Sequence, residues 1–262
     1  MTIRILFISL IVIAIVAGAV WFAASRRSGQ PQEATSPETH DQVATTYRYE
    51  DGPGNCQVNK APVLTGDITD LSLIARIIPP AGVQERGELK THSYLHIQGD
   101  GSVPVYAPAG GVIRWGHHVI QQDTTGAFDP TLGDEYALFI ELDCRYYLFI
   151  DHFSDPTDAI RGALPAEPVE STQTEFLSPP IAVTAGELLG QTRGTNPGGI
   201  WDFGLYDRQQ QNVFPSSVTN ASRRDEQALC PYAHYATEQR TQYEQRFDRN
   251  YPNYTRVLEL CS

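Results

Sequence analysis

Hydrophobic and polar positions alternate one for one through Ile200-Trp201-Asp202-Phe203-Gly204-Leu205-Tyr206-Asp207, the period of a strand with one face buried. Trp201, Phe203 and Leu205 fall on one face and read as core, while Ile200, Asp202, Gly204 and Tyr206 fall on the other. An acid at the centre of such a strand must sit at the sheet surface, pair with a cation or bind a metal. Shorter patterns of the same kind precede it. The stretch "VPVYAPAGGVIRWG" reads as two strands around an Ala-Pro-Ala-Gly-Gly turn, a strong turn signal. "EYALFIELDCRYYLFIDHF" reads as strands over 135–142 and 146–153, with Asp143-Cys144-Arg145 at or near a hairpin turn. "ALPAEPVESTQTEFLSPP" reads as a loop, and "IAVTAGELLGQT" as strand, glycine turn and strand. Further upstream, "DLSLIARIIPPAG" holds a short apolar segment closed by Pro79-Pro80.

No helix longer than a turn or two is needed between 90 and 207, so the predicted fold is mostly β, a folded antiparallel sheet or β-sandwich. After 207 the pattern changes, and "ATEQRTQYEQRFDRN" (236–250) can form a helix, giving a short helical tail. The chain shows no internal repeat.

The first 27 residues contain no acid, and 5–24 ("ILFISLIVIAIVAGAVWFAA") carry neither charge nor proline. Twenty apolar residues at about 1.5 Å each span roughly the 30 Å of a bilayer core. The run is longer than the usual apolar part of a signal peptide, so it reads as an uncleaved transmembrane anchor. Cleavage near Ala17-Gly18-Ala19 is the alternative and leaves a secreted protein. The expected organisation is an anchor over 1–27, a Ser-, Thr-, Pro- and Gln-rich tether over 28–48, a β domain over 49–207 and a partly helical extension over 208–262. His40, alone in the tether, is given no role.

Arg4 on one side of the apolar run and Arg26-Arg27 on the other nearly balance, so basic residues do not orient it. Cysteine usage does. Cys56, Cys144, Cys230 and Cys261 all follow the anchor and none forms a CxxC pair, a pattern suited to disulfides in an oxidising compartment. We place the body outside the cytoplasm, in the periplasm or at the cell surface. Four cysteines allow three pairings; because Cys230 and Cys261 bracket a helix of modest apolarity, we expect these two to be joined, and leave the pairing of Cys56 and Cys144 open.

With 19 basic against 31 acidic residues, the net charge is −12, and three of the basic residues belong to the anchor. An exported part this acidic is not drawn to nucleic acid or to anionic lipid, so membrane association rests on the N-terminal helix alone.

Candidate chemistry lies in two further stretches, "THSYLHI" with His92 and His96, and "LFIDHFSD" with His152. Residues i and i+4 of a strand share a face, so His92 and His96 can converge. If the 200–206 strand lies beside them, Asp202 completes a two-His, one-carboxylate set. Such a set suits Zn²⁺ with a fourth position open to water, and a metal-free polar cluster is the alternative. Neighbouring His117 and His118 point to opposite faces of a strand and read as surface residues. His234 reads as a packing or surface residue.

The order of these elements carries a resemblance. His92-xxx-His96 is followed by Pro104-Val105-Tyr106-Ala107 with Gly111-Val112, then Ile150-Asp151-His152-Phe153, Ala185-Gly186-Glu187-Leu188-Leu189-Gly190 and Ile200-Trp201-Asp202-Phe203. Residues 92–206 thereby resemble the lysostaphin-type (LytM-like) zinc endopeptidases, which cleave peptide cross-bridges of peptidoglycan. Those proteins carry HxxxD, PVYAxxxGxV, YxHL, a GxxxG turn and HxHF in this order. The resemblance implies a barrel-sandwich-hybrid fold, metal ligands at His92, His96 and Asp202, and a catalytic histidine at His152. His96 replaces the family's aspartate, Asp202 its second HxH histidine, and Ile200 its first, the histidine that assists catalysis.

Zinc-dependent peptide hydrolysis needs a polarised water, a proton acceptor and a group to stabilise the oxyanion. Ile200 supplies none of these, and losing one such group costs about 10²–10³ in rate. The expectation is an exported, membrane-anchored envelope protein that binds peptidoglycan or regulates a wall hydrolase. The alternatives are an active zinc endopeptidase and a structural envelope domain without a ligand.

Overall fold

The alternating stretch Ile200–Asp207 becomes the middle of an antiparallel sheet. The computed structural model of the protein describes residues 47–84, 87–252 and 254–262; the apolar run over 5–24, and with it the expected anchor, lies outside them. Among the described residues no helix is long and apolar enough to cross a membrane.

In chain order the strands are β1 (Ile74–Ile78), β2 (Gly82–Gln84), β3 (Leu89–Lys90), β4 (Ser93–Ile97), β5 (Val103–Tyr106), β6 (Gly111–Ile120), β7 (Asp134–Glu141) and β8 (Tyr146–Phe153). They continue as β9 (Asp155–Pro156), β10 (Glu175–Val183), β11 (Leu188–Thr192), β12 (Ile200–Asp207), β13 (Ala228–Leu229) and β14 (Tyr254–Arg256). Short helices are α1 (Asp158–Arg161), α2 (Arg223–Glu226) and α3 (Thr237–Glu244). The large sheet runs β1-β4-β12-β8-β7-β6-β10, with β13 also on β12; β5-β11-β9 and β14-β2-β3 form two smaller sheets. The fold is mostly β and antiparallel, as the alternation predicts.

The β7–β8 hairpin closes over Asp143-Cys144-Arg145, where the Asp143 carboxylate accepts the backbone N–H of Arg145 at 2.7 Å and of Tyr146 at 2.9 Å. An aspartate that satisfies its own turn in this way fixes the hairpin register. Strand β10 begins at Glu175, inside the stretch read as a loop. It lies at the sheet edge, and its pairing with β6 breaks between Phe176 and Ile181, around Pro179-Pro180. Prolines are tolerated there because an edge strand leaves one row of N–H groups unpaired.

Trp201, Phe203 and Leu205 pack on Leu95 of β4, Leu148 and Ile150 of β8 and Leu138 and Ile140 of β7, and the same core takes in Val103, Val105 and Leu189 from the smaller sheet. Each large apolar side chain buried this way contributes about 1.5–3 kcal/mol. The C-terminal part joins this core through Tyr232, Tyr235 and Tyr243. Helix α3 ends sooner than the sequence suggests, because Ile77 of β1 takes the chain over: its N–H donates to Arg246 O at 2.7 Å and its carbonyl accepts from Asp248 N at 2.8 Å.

Cys230 is bonded to Cys261, as expected, and Cys56 to Cys144. The sequence separations of 31 and 88 residues correspond to about 4 and 5 kcal/mol of chain-entropy stabilisation. Two disulfides are compatible with a location outside the cytoplasm.

Candidate functional site

The second face of the large sheet changes character along the strands. Towards the C-terminal end of β12 it is aromatic, with Trp115, Phe139, Tyr147, Phe149 and Tyr206 in one buried cluster. The Tyr206 ring lies back against Gly204, where an added Cβ would come within 2.7 Å of it. That close approach explains the glycine.

Towards the other end the face turns polar. Strand register sets Tyr94 of β4, Asp202 of β12 and Asp151 of β8 side by side, and Ala137 of β7 beside His117 of β6. The link between these halves is a β-bulge. Leu138 pairs with Ile150 and Tyr136 with Phe153, so Asp151 and His152 together oppose Ala137. A regular strand would send His152 to the core beside Ile150; the extra residue turns it onto the face of Asp151. His152 adopts φ 56° there, which costs a residue with a side chain on the order of 1 kcal/mol. The Asp151 carboxylate accepts the His152 N–H at 2.8 Å, and the Thr192 hydroxyl donates to the His152 carbonyl at 2.6 Å. The bulge is therefore held from both sides.

Around it lies a row of imidazoles and carboxylates. His152 Nδ1 meets Glu135 Oε2 at 2.8 Å, and His152 Nε2 stands 3.6 Å from Asp202 Oδ2. Gln121 donates to the same Glu135 oxygen at 3.0 Å. His92, two residues before Tyr94, brings Nε2 to 3.0 Å from Asp202 Oδ2. At that separation the two atoms still do not align as a hydrogen bond, and His92 Nδ1, His96 Nε2, His117 Nδ1 and Asp202 Oδ1 are also buried without a hydrogen-bond partner.

Burial disfavours a charged His152, yet the charges of Asp202 and Asp151 and the bond to Glu135 outweigh it and raise its pKa to about 10. Burial pushes Asp202 up, and His92 and His152 more than reverse this, bringing it down to about 2. Burial, with Arg76 nearby, lowers His96 to about 4. These opposed shifts mark a cluster in which charge is fixed by neighbours.

Comparison with protein-family models, with curated proteins and with solved structures finds no match.

Of the residues singled out in the sequence, His92, Asp202 and His152 come together. His96 is buried on the same face, paired across the strands with Arg76 and Ile200, and its ring packs 5.3 Å from that of Tyr251. Three ligand atoms, one from each residue and all within 4.8 Å of one another, are offered by Glu135, Asp151 and His152, and that is a grouping of the size that holds a metal ion. His92, His96 and Asp202 do not form such a grouping. His117 and His118, expected at the surface, are 6 % and 3 % exposed. They do point to opposite faces: His117 towards Asp151, and His118 onto the Tyr136 ring at 4.1 Å. His234 is half-buried, with Nδ1 donating to Pro62 O at 3.1 Å.

Glu135, Gln121 and His117 are the site residues that sequence reasoning missed. The only signal was the hairpin itself, whose pairing brings residue 135 near 152 once the bulge is known. Beside the cluster lies a cleft of about 550 Å³ lined by Gln121, Asp134, Ser154, Arg193, Thr195 and Asn196 among others. Gln121 joins the two, because its Oε1 accepts from Asn196 N at 2.7 Å while its Nε2 serves Glu135.

Proposed function

We propose that this is an exported, membrane-anchored cell-envelope protein with a lysostaphin-like β domain that binds peptidoglycan, or engages a wall hydrolase, without hydrolysing the wall. The observation that carries this reading is Ile200. It shares the face of Asp202 and pairs across from His96, in the place where a zinc peptidase needs a group that takes a proton. An aliphatic side chain takes none, and loss of such a group costs about 10²–10⁴ in rate. The cleft supports recognition. Arg193, Ser154, Thr195 and Asn196 line it beside Asp100 and Asp134, and these groups suit a ligand rich in amides and hydroxyls, as wall peptides and glycans are.

The second reading is a zinc endopeptidase with His92, His96 and Asp202 as ligands and His152 as acid and base. It is favoured by the approach of His92 to Asp202 and by the unpartnered atoms between them. Against it, His96 does not join the other two.

Full-length protein in detergent, loaded with zinc and mixed with purified sacculi, tests both. The proposal expects co-sedimentation without release of soluble fragments, weakened by Arg193→Ala. Release that His152→Ala abolishes establishes the peptidase instead. Neither retention nor release, with no capture of a hydrolase, leaves a structural envelope domain.

A further inference from the structure

One end of the polar row has the makings of a cation site that owes nothing to His92 or His96. Glu135, Asp151 and His152 already place ligand atoms within 4.8 Å of one another. His117 stands beside them. It reaches over Ala137, its partner in the register and a side chain too small to fill the space. Its Nε2 stops 3.9 Å from Asp151 Oδ1, too far for a hydrogen bond. The ring is 6 % exposed, and its Nδ1, the nitrogen turned away from Asp151, has no hydrogen-bond partner. An unsatisfied buried imidazole costs about 1–3 kcal/mol. Atoms that share one ion at bonds of about 2.0–2.2 Å lie roughly 3–4 Å apart; His152 Nδ1 stands 2.8 Å from Glu135 Oε2 and His117 Nε2 3.9 Å from Asp151 Oδ1.

Charge and support agree with the geometry. Three carboxylates, Glu135, Asp151 and Asp202, lie around His152, which gives up its proton when it ligates an ion. Gln121 orients Glu135 from behind, the outer-shell contact that ligating carboxylates need. The side chains of His152 and Asp151 are 25 % and 21 % exposed, which leaves a path for an ion.

We propose that His117, Glu135, Asp151 and His152 form a divalent transition-metal site. Two imidazoles and two carboxylates select an ion of the Zn²⁺ or Mn²⁺ class over Ca²⁺ and Mg²⁺, which take oxygen ligands. The site is displaced across the sheet from the set expected at His92, His96 and Asp202, and it does not depend on what the cleft binds.

The test is titration calorimetry of chelator-stripped full-length protein with Zn²⁺, Mn²⁺ and Ca²⁺, with thermal melts alongside. The expected result is one Zn²⁺ bound, with Ca²⁺ at least 10-fold weaker. His117→Ala and the closer mimic His117→Gln should each weaken Zn²⁺ by about 10-fold or more, and both should remove the rise in Tm. His92→Ala and His96→Ala should leave the affinity within about 2-fold. Loss of binding in His92→Ala or His96→Ala with binding intact in folded His117→Gln overturns the proposal. So does a folded wild type that binds no Zn²⁺, or one that binds Ca²⁺ as tightly.

Discussion

Alternate residues of β12 live in two different surroundings. Trp201, Phe203 and Leu205 enter an apolar core shared by two sheets; Asp202, on the opposite face, enters a buried row of imidazoles and carboxylates. Backbone and neighbouring strands are the same for both. The core face gains free energy from the apolar surface it buries, and it too leaves Trp201 Nε1 and the Tyr232 and Tyr235 hydroxyls without a hydrogen-bond partner. The site face loses some: it buries His92, His96, His117 and Asp202 with unpartnered atoms, each at a cost of about 1–3 kcal/mol. It also holds His152 in a left-handed bulge. Apolar burial on the other face offsets that cost.

The comparison breaks first where the effect is largest. Phe203→Ala should lower unfolding free energy by about 3–5 kcal/mol, read by urea denaturation, and leave zinc affinity unchanged in the folded fraction. A loss below about 1 kcal/mol would mean the core face is not packed. Cys261→Ser opens the disulfide beneath that core and should cost about 3–4 kcal/mol by the same measurement. An equal stability with and without the bond would show that α3 and the tail are held by packing alone.

The site face answers to pH instead. In metal-free protein the raised pKa of His152, about 10, means that the folded state keeps a proton the unfolded chain releases near pH 6.5. Its contribution is full below pH 6.5 and is lost as pH rises through 10, a few kcal/mol at most. Asp202, held down to about 2, has the opposite sign: its contribution is present above pH 3.8 and is lost as pH falls through 2. Asp202→Asn should flatten the alkaline loss while leaving Phe203 and its neighbours packed. An unchanged alkaline profile would disconnect His152 from Asp202. The smallest effect is expected at Gly204, where alanine meets the Tyr206 ring and should cost about 1–3 kcal/mol.

What the sequence disclosed follows the same division. The core face was legible because strand alternation is a local property: Trp201, Phe203 and Leu205, and the hairpin around Asp143-Cys144-Arg145, can be read a few residues at a time. The Cys230–Cys261 bond was legible from the order of the chain. The site was legible only in part. Nothing local announces two residues of β8 opposing one of β7, so simple alternation separates His152 from Asp151 and hides Glu135. His117 and His118 look like surface residues by polarity, and only the sheet around them shows that both are buried. The prolines of β10 read as a loop because their edge position is a property of the whole sheet.

The proposed metal ligands lie on the β6, β7 and β8 side of this face, away from the His92, His96 and Asp202 set on β4 and β12. Anomalous diffraction from crystals grown with zinc measures this directly. One strong peak is expected among His117 Nε2, Glu135, Asp151 and His152. A peak among His92, His96 and Asp202, with nothing at His117, would contradict it.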